Sequence, residues 1–267
     1  RMVDGIDLYT HQPDGTQYGF SDIEGHFRGH YDGVITGLLQ APATPHVWEH
    51  KAAAEASQTK LVKLKEEHGE KGALEHWNRV YYAQAQIYMH YTSLARHYLT
   101  VSSPGCRATV SCRTDYNKAH AASLIARANR IIKSDRPPAR MTDDITHYLC
   151  KWCDHYAQCQ TKTTMPRANC RTCTFSSPST DGLWICGHHD KSMSVEDQRA
   201  GCDDHLYLTD LMPFELFRAD AGEHCISYKT GTGLTIFNGR DKGTHSYPSG
   251  EMQNIPVVLI GEPHASA

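Results

Sequence analysis

The sequence predicts an α/β chain with a central mixed β-sheet flanked by helices, followed by a cysteine-rich metal-binding module and a small β-rich tail. Three observations carry that reading. The first 140 residues read strand, strand, helix, strand, strand, helix. Seven of the ten cysteines fall between Cys150 and Cys202, and residues 223–260 are rich in Gly, Thr, Ser and Tyr. The expected organisation is a core over residues 1–145, a cysteine-rich segment over 146–209 and a tail over 210–267. With 267 residues, 39% of them hydrophobic and 21% charged, the chain has ample apolar material for one packed core, which excludes an intrinsically disordered protein.

Alternation over His26–Ile35 and again over His46–Ala53 predicts two adjacent strands, joined by a loop between Gly37 and Pro45. A charged helix follows from about Ser57 to His68. A longer one from about Leu74 to Tyr98 gathers Trp77, Tyr81, Tyr88 and Tyr91 near one face. His97–Ser102 and Arg107–Arg113 read as strands around a Pro104-Gly105 turn. Asp115 or Asn117 then caps a helix that ends before Pro137-Pro138. In the tail, short apolar pieces such as Leu234–Phe237, ending in Asn238-Gly239, predict β-hairpins.

Charge and targeting signals narrow the classes further. The acidic start (Asp4, Asp7, Asp14, Asp22) lacks the basic segment and apolar stretch of a secretory signal, so a cytoplasmic protein is expected. No apolar run approaches the roughly 18 residues of a membrane-spanning helix, so no membrane partner is expected. The formal net charge is -3, yet residues 107–140 hold eight Lys/Arg, Arg136 among them, against Asp115 and Asp135. That local excess suits a polyanion, or equally a solvated helix face.

Chemistry centres on Asp32, Glu49 and Lys51. Side-chain direction repeats every two residues along a strand, so Glu49 and Lys51 stand on one face. Pairing of the two strands brings Asp32 toward Glu49, and two carboxylates there repel unless a divalent cation sits between them. Mg²⁺ or Mn²⁺ suits such oxygen ligands. A cation at that point polarises a phosphoryl oxygen and acidifies a water, while Lys51 orients the water or stabilises the developing charge, which amounts to phosphodiester hydrolysis. The plainer alternative is an Asp-Gly turn beside an exposed Glu/Lys pair on an edge strand. Downstream, Gln84 and Tyr88 lie four residues apart on the long helix and face one partner, Gln84 suited to a phosphate or a bound water and Tyr88 to a nucleotide.

Gly29-His30-Tyr31-Asp32-Gly33, Glu49-His50-Lys51 and Gln84-Ala85-Gln86-Ile87-Tyr88 together resemble the successive motifs of the PD-(D/E)XK nucleases, in the RecB/Cas4-like branch found in many phages. The resemblance covers about residues 18–160. It implies a restriction-endonuclease-like core in which Asp32, Glu49 and the backbone carbonyl of His50 are metal ligands. Lys51 is then catalytic, and Gln84 and Tyr88 form the branch's Q-x-x-x-Y motif. The branch's earlier helix, bearing a Glu or His toward the metal, has no counterpart before Asp32, because His11 and Glu24 lie in no helix-like stretch. That helix either precedes Arg1 or is dispensed with. His26 and His30 flank the site in structural roles.

Clustered cysteines in a reducing compartment are more often metal ligands than disulfides. Cys150, Cys153 and Cys159 resemble the three-cysteine cluster of the branch's iron-sulfur members, which implies a 4Fe-4S cluster if Cys106 or Cys112 or an upstream residue supplies the fourth thiolate. Zinc with His147 or His155 is the chemical alternative. A second set, Cys170, Cys173, Cys186 and Cys202 with His205 as competitor for the last place, has the spacing of a structural zinc site, and His188 or His189 is able to replace a cysteine. Lys162, Arg167, Arg171 and Arg199 nearby suit phosphate contacts.

The function expected is a metal-dependent deoxyribonuclease. Likeness to phage proteins implies an exonuclease that processes DNA ends for recombination or repair in the host cytoplasm, with a single-strand annealing protein as partner. The rivals are a structure-specific or single-strand endonuclease and a non-catalytic, zinc-dependent DNA-binding module.

Overall fold

The computed structural model describes residues 5–134, 138–161, 165–179, 182–220, 224–239 and 243–255. Asp4, Asp135, Arg136, Pro137, Lys162 and the tail beyond Ile255 lie outside the described residues. The chain divides into two compact units, Arg1–Ile132 and Lys133–Ala267. It is a mixed α/β protein whose strands, among the described residues, are shared among four sheets rather than gathered in the one central sheet expected. No helix among the described residues is long and apolar enough to cross a membrane.

The largest sheet belongs to the first unit. Its strands are β1 (Asp7–Tyr9), β4 (Gly33–Thr36), β5 (His46–Ala52), β6 (Arg96–Ser102) and β7 (Thr109–Asp115), in the spatial order β1-β4-β5-β6-β7. Neighbours run antiparallel except β5 and β6, which are parallel from Val47↔His97 to Ala52↔Ser102. Parallel neighbours need a long crossover. Here it consists of α1 (Glu55–Trp77) and α2 (Arg79–Thr92), which bury Leu61, Leu74 and Met89 in the same core as Val47, Leu99 and Val101 of the sheet. The remaining elements are the antiparallel hairpin of β2 (Gly19–Asp22) with β3 (Phe27–His30), and α3 (Lys118–Lys133) after β7.

Several boundaries differ from the sequence expectation for local reasons. The segment His26–Ile35 is two strands, because β3 pairs with β2 whereas β4 pairs with β1 and β5, and the chain changes sheets at Tyr31-Asp32. The first helix runs on past His68 to Trp77 with a break at Gly69, whose φ of 74° suits a residue without a Cβ. A new helix starts at Asn78, whose side-chain oxygen accepts from the amides of Val80 and Tyr81. It stops at Ser93 (φ 56°) rather than near Tyr98, because the following residues are claimed by the β5–β6 ladder. Asn117, not Asp115, caps α3 by accepting from the His120 amide at 3.0 Å.

In the second unit, β8 (Ser176–Pro178), β9 (Trp184–Cys186) and β10 (Lys191–Met193) form a three-stranded antiparallel sheet followed by α4 (Val195–Ala200). The expected hairpins of the tail belong to a four-stranded sheet. It comprises β11 (Glu215–Asp220), β12 (Cys225–Lys229), β13 (Thr235–Asn238) and β14 (Ser246–Tyr247), the last pair parallel, with α5 (Ser249–Met252) closing it. Tyr207, Met212, Tyr228, Ile236 and Met252 make its core. Buried Asn238 ties the layers by accepting from the Tyr207 amide at 2.8 Å and donating to Ser249 Oγ at 2.9 Å.

Gly29 on β3 is a close approach. A Cβ there would lie 2.9 Å from Phe20 Cε1 and 3.1 Å from Tyr88 Cε1, and Phe20 is itself held in a stack 4.0 Å from Tyr91. Gly29→Ala is therefore expected to cost about 1–3 kcal/mol through overpacking, read as a lowered midpoint in urea unfolding with an unchanged slope.

Candidate active site

The β4–β5 register pairs Gly33 with Trp48, which sets Asp32, just before β4, beside Glu49. Asp32 Oδ2 accepts from the backbone amide of His50 at 2.8 Å, so the carboxylate is held by the strand itself rather than by a long side chain. Glu49 is 4% exposed, and its Oε1 is paired with the Lys51 ammonium on the same face of β5. Its other oxygen, Oε2, is buried without a hydrogen-bond partner. Lys51 also lies 5.2 Å from the centre of the Tyr81 ring, a cation–π contact that holds the ammonium over α2.

Burial disfavours the charged Glu49 by more than the hydrogen bond and charge of Lys51 return, and the Asp32 charge adds to the effect. The carboxyl pKa is therefore raised above the usual range. For Lys51, burial acts to lower the pKa, but the hydrogen bond and charge of Glu49, with Asp32 and Tyr81 behind, outweigh it and the net direction is upward. The pair is thus unequal, with the anion bearing the cost of desolvation.

The His50 ring turns to the opposite face of β5, as the two-residue period requires. Its Nδ1 meets Thr100 Oγ1 at 2.9 Å and its Nε2 meets Ser102 Oγ at 2.8 Å. Only the main chain of His50 therefore belongs with Asp32. Thr100 also accepts from Trp48 Nε1 at 3.0 Å. These β6 hydroxyls, which sequence reading missed, pin the strand that carries Glu49 and Lys51. Their signal was the alternation Tyr98, Thr100, Ser102 along one side of β6.

Gln84 and Tyr88 do come together. Tyr88 is buried, its hydroxyl donates to the His30 carbonyl at 2.6 Å, and Gln84 Nε2 donates to that hydroxyl at 2.9 Å. Tyr88 packs against Tyr31 and Phe20. The pair is a positioning device that fixes the main chain two residues before Asp32. Neither His11 nor Glu24 lies on a helix: His11 bridges Gln17, and Glu24 occupies a turn with φ 57°.

The cysteines divide into two cases. Cys150 is buried and accepts from Gln160 Nε2 at 3.6 Å, whereas Cys153 and Cys159 are exposed. Cys170, Cys173, Cys186 and Cys202 lie near enough for their charges to interact. Burial raises the Cys170 pKa, and the charges of Cys202, Cys173 and Cys186 raise it further. Even so, no three of these thiols lie within 4.8 Å of one another, so the ligand set is wider than the closed site that the spacing predicts. His205 is not among them. It is buried, its Nε2 meets Thr172 Oγ1 at 3.1 Å, and burial pushes its pKa down to about 4. The basic residues Lys118, Arg127 and Arg130 are exposed on α3.

No family model matches this chain. The search of curated proteins likewise finds no match. Among solved structures, one described as the crystal structure of SSO0001 is similar to it at 16% identity with a TM-score of 0.30, covering 54% of this chain. The chain spans 58% of the length of that structure.

The raised Glu49 pKa has a definite sign in stability. A carboxyl whose folded pKa exceeds its unfolded value contributes stability that is complete below about pH 4.5 and is lost as pH rises through the raised value. In chelated buffer the wild-type protein should therefore lose stability relative to Glu49→Gln as pH is raised across that window, and the difference should be constant above it. Urea unfolding of both proteins at several pH values checks this, and parallel curves throughout would remove the assignment.

Proposed function

We propose that the first unit is a metal-dependent deoxyribonuclease of the PD-(D/E)XK type, in its RecB/Cas4-like branch, acting as an exonuclease on DNA ends. The observation that carries the reading is the buried, partnerless Oε2 of Glu49 beside the strand-held carboxylate of Asp32. A desolvated carboxylate oxygen without a donor costs free energy that a cation recovers. The donor set, two carboxylates with main-chain oxygen nearby, suits Mg²⁺ or Mn²⁺. Topology is compatible with a restriction-endonuclease-like core: a mixed sheet in which one strand carries both Glu49 and Lys51, and the parallel crossover supplies Gln84 and Tyr88.

In this reading Asp32 and Glu49 hold the cation, with the His50 carbonyl as a third oxygen. When bound, the cation supplies Lewis acidity toward the scissile phosphate and favours ionisation of the attacking water. Glu49, if it held such a cation, would bind Lys51 less tightly and leave the ammonium available. Lys51 then orients the water and stabilises negative charge that develops on the phosphate. Gln84 and Tyr88 keep the Asp32 turn in place through the His30 carbonyl. The exposed α3 cations Lys118, Arg127 and Arg130 offer phosphate contacts of the kind that position a duplex without reading its sequence. A single-strand annealing protein is the partner such an exonuclease would serve.

In the second unit, Cys170, Cys173, Cys186 and Cys202 are the ligands we assign to a structural zinc.

The test is digestion of end-labelled linear duplex and of closed circular DNA in Mg²⁺ or Mn²⁺. Wild-type protein should release nucleotides from linear ends only. Lys51→Ala and Asp32→Asn should each slow release by at least about 10²-fold, the scale of losing one preorganised electrostatic group, while DNA binding persists. Undiminished release by Lys51→Ala would defeat the mechanism, and cutting of circles would make the enzyme an endonuclease.

A further inference from the structure

His188, His189 and Asp204 form the one group of three or more His, Cys, Asp or Glu residues, among those described, whose ligand atoms lie within 4.8 Å of one another. Successive side chains on a strand diverge. Residues 187–190, however, are the β9–β10 turn, with Asp190 at φ 47°, and there both imidazoles come to one carboxylate. The Nε2 atoms of His188 and His189 stand 3.7 Å and 3.5 Å from Asp204 Oδ2.

Those separations are too long for hydrogen bonds, which close to about 2.7–3.2 Å between N and O. They sit just above the spacing of about 3.3–3.5 Å that tetrahedral geometry gives two ligand atoms each ~2.0–2.1 Å from zinc. The side chains are accessible as well, at 24% for His188, 38% for His189 and 46% for Asp204. His188 is braced in a cluster of three rings, stacking 5.0 Å from Phe175 and meeting His224 edge-on at 4.5 Å. A small cleft lined in part by Asp204, His224, Gly239 and Pro248 opens beside the carboxylate.

We propose that His188 Nε2, His189 Nε2 and an Asp204 carboxylate oxygen form a divalent transition-metal site of zinc type, distinct from the four-cysteine group, with its fourth position open to the cleft. Two imidazoles and one carboxylate select a borderline metal such as Zn²⁺ over the hard cations Mg²⁺ and Ca²⁺, which want oxygen alone. Three protein ligands with an open fourth place are the arrangement of sites that take an exogenous donor, whereas closed four-ligand sites only hold a fold. The ion also clips the β9–β10 turn to the turn at Asp203-Asp204, two segments that meet here through these side chains. The site is independent of the nuclease reading, since none of its residues belongs to the first unit.

The experiment uses the full chain, stripped with chelator and titrated with Co²⁺ and Zn²⁺. Thiolate-bound cobalt shows a strong near-ultraviolet sulfur-to-metal charge-transfer band, whereas a His₂Asp site shows visible d–d bands without it. Wild-type protein should take up cobalt of the second kind. His189→Gln and Asp204→Asn should lose it, with zinc affinity at this site falling by more than the roughly tenfold to hundredfold that a missing supporting hydrogen bond costs. Cys173→Ser should keep it. In the unaltered protein, zinc should also shift the His188 and His189 imidazole resonances in nuclear magnetic resonance spectra, a readout that does not depend on any variant folding. Cobalt uptake with sulfur character alone, unchanged affinity in both variants, or imidazole resonances that ignore zinc would each overturn the site.

Discussion

The parallel pairing of β5 with β6 is the constraint on which the first unit depends. Antiparallel strands are joined by a short turn, but these two must be joined by a chain that leaves the sheet and returns on the same side of the ladder. α1 and α2 make that passage, so the apolar faces that bury Leu61, Leu74 and Met89 are also the connection that makes the pairing feasible. The pairing is pegged from the other face as well, where the His50 ring bridges the Thr100 and Ser102 hydroxyls across the two strands. A slip of one residue would turn Glu49 and Lys51 to the side His50 now occupies and leave three polar groups without their partners.

That same crossover reaches the candidate site from above. Tyr88 of α2 donates to the His30 carbonyl, and the chain from His30 leads directly into Asp32. The helix that closes the core therefore also sets where the first carboxylate begins. Packing at Gly29 enforces this, because Phe20, Tyr88 and the β3 backbone leave no space for a methyl group. Fold stability and site geometry are supplied here by the same contacts, so a change in one is felt in the other.

What could be read from the sequence follows from which signals are local. Period-two alternation located β5 and β6, and the adjacency of the strands bearing Asp32 and Glu49 followed from it. β1 has all three residues exposed, so no apolar alternation marked it. The helix ends were misplaced because Asn78 reads as an ordinary interior residue until its side chain is seen accepting two amides. Helical spacing put Gln84 and Tyr88 on one face but could not say that the partner was a backbone carbonyl. The cysteine spacing marked Cys170, Cys173, Cys186 and Cys202 as convergent, yet His188, His189 and Asp204 carry no spacing signal, since a turn and a distant loop bring them together.

The Glu49–Lys51 pair shows why proximity alone does not make a stable ion pair. Lys51 keeps a side-chain exposure of 22%, against 5% for Glu49, so water still compensates the cation while the anion relies on one hydrogen bond. One ammonium at one oxygen leaves Oε2 without a hydrogen-bond partner, and the neighbouring charge of Asp32 adds to the cost of ionising Glu49. The desolvation of Glu49 is therefore a cost that its pairing with Lys51 offsets only in part.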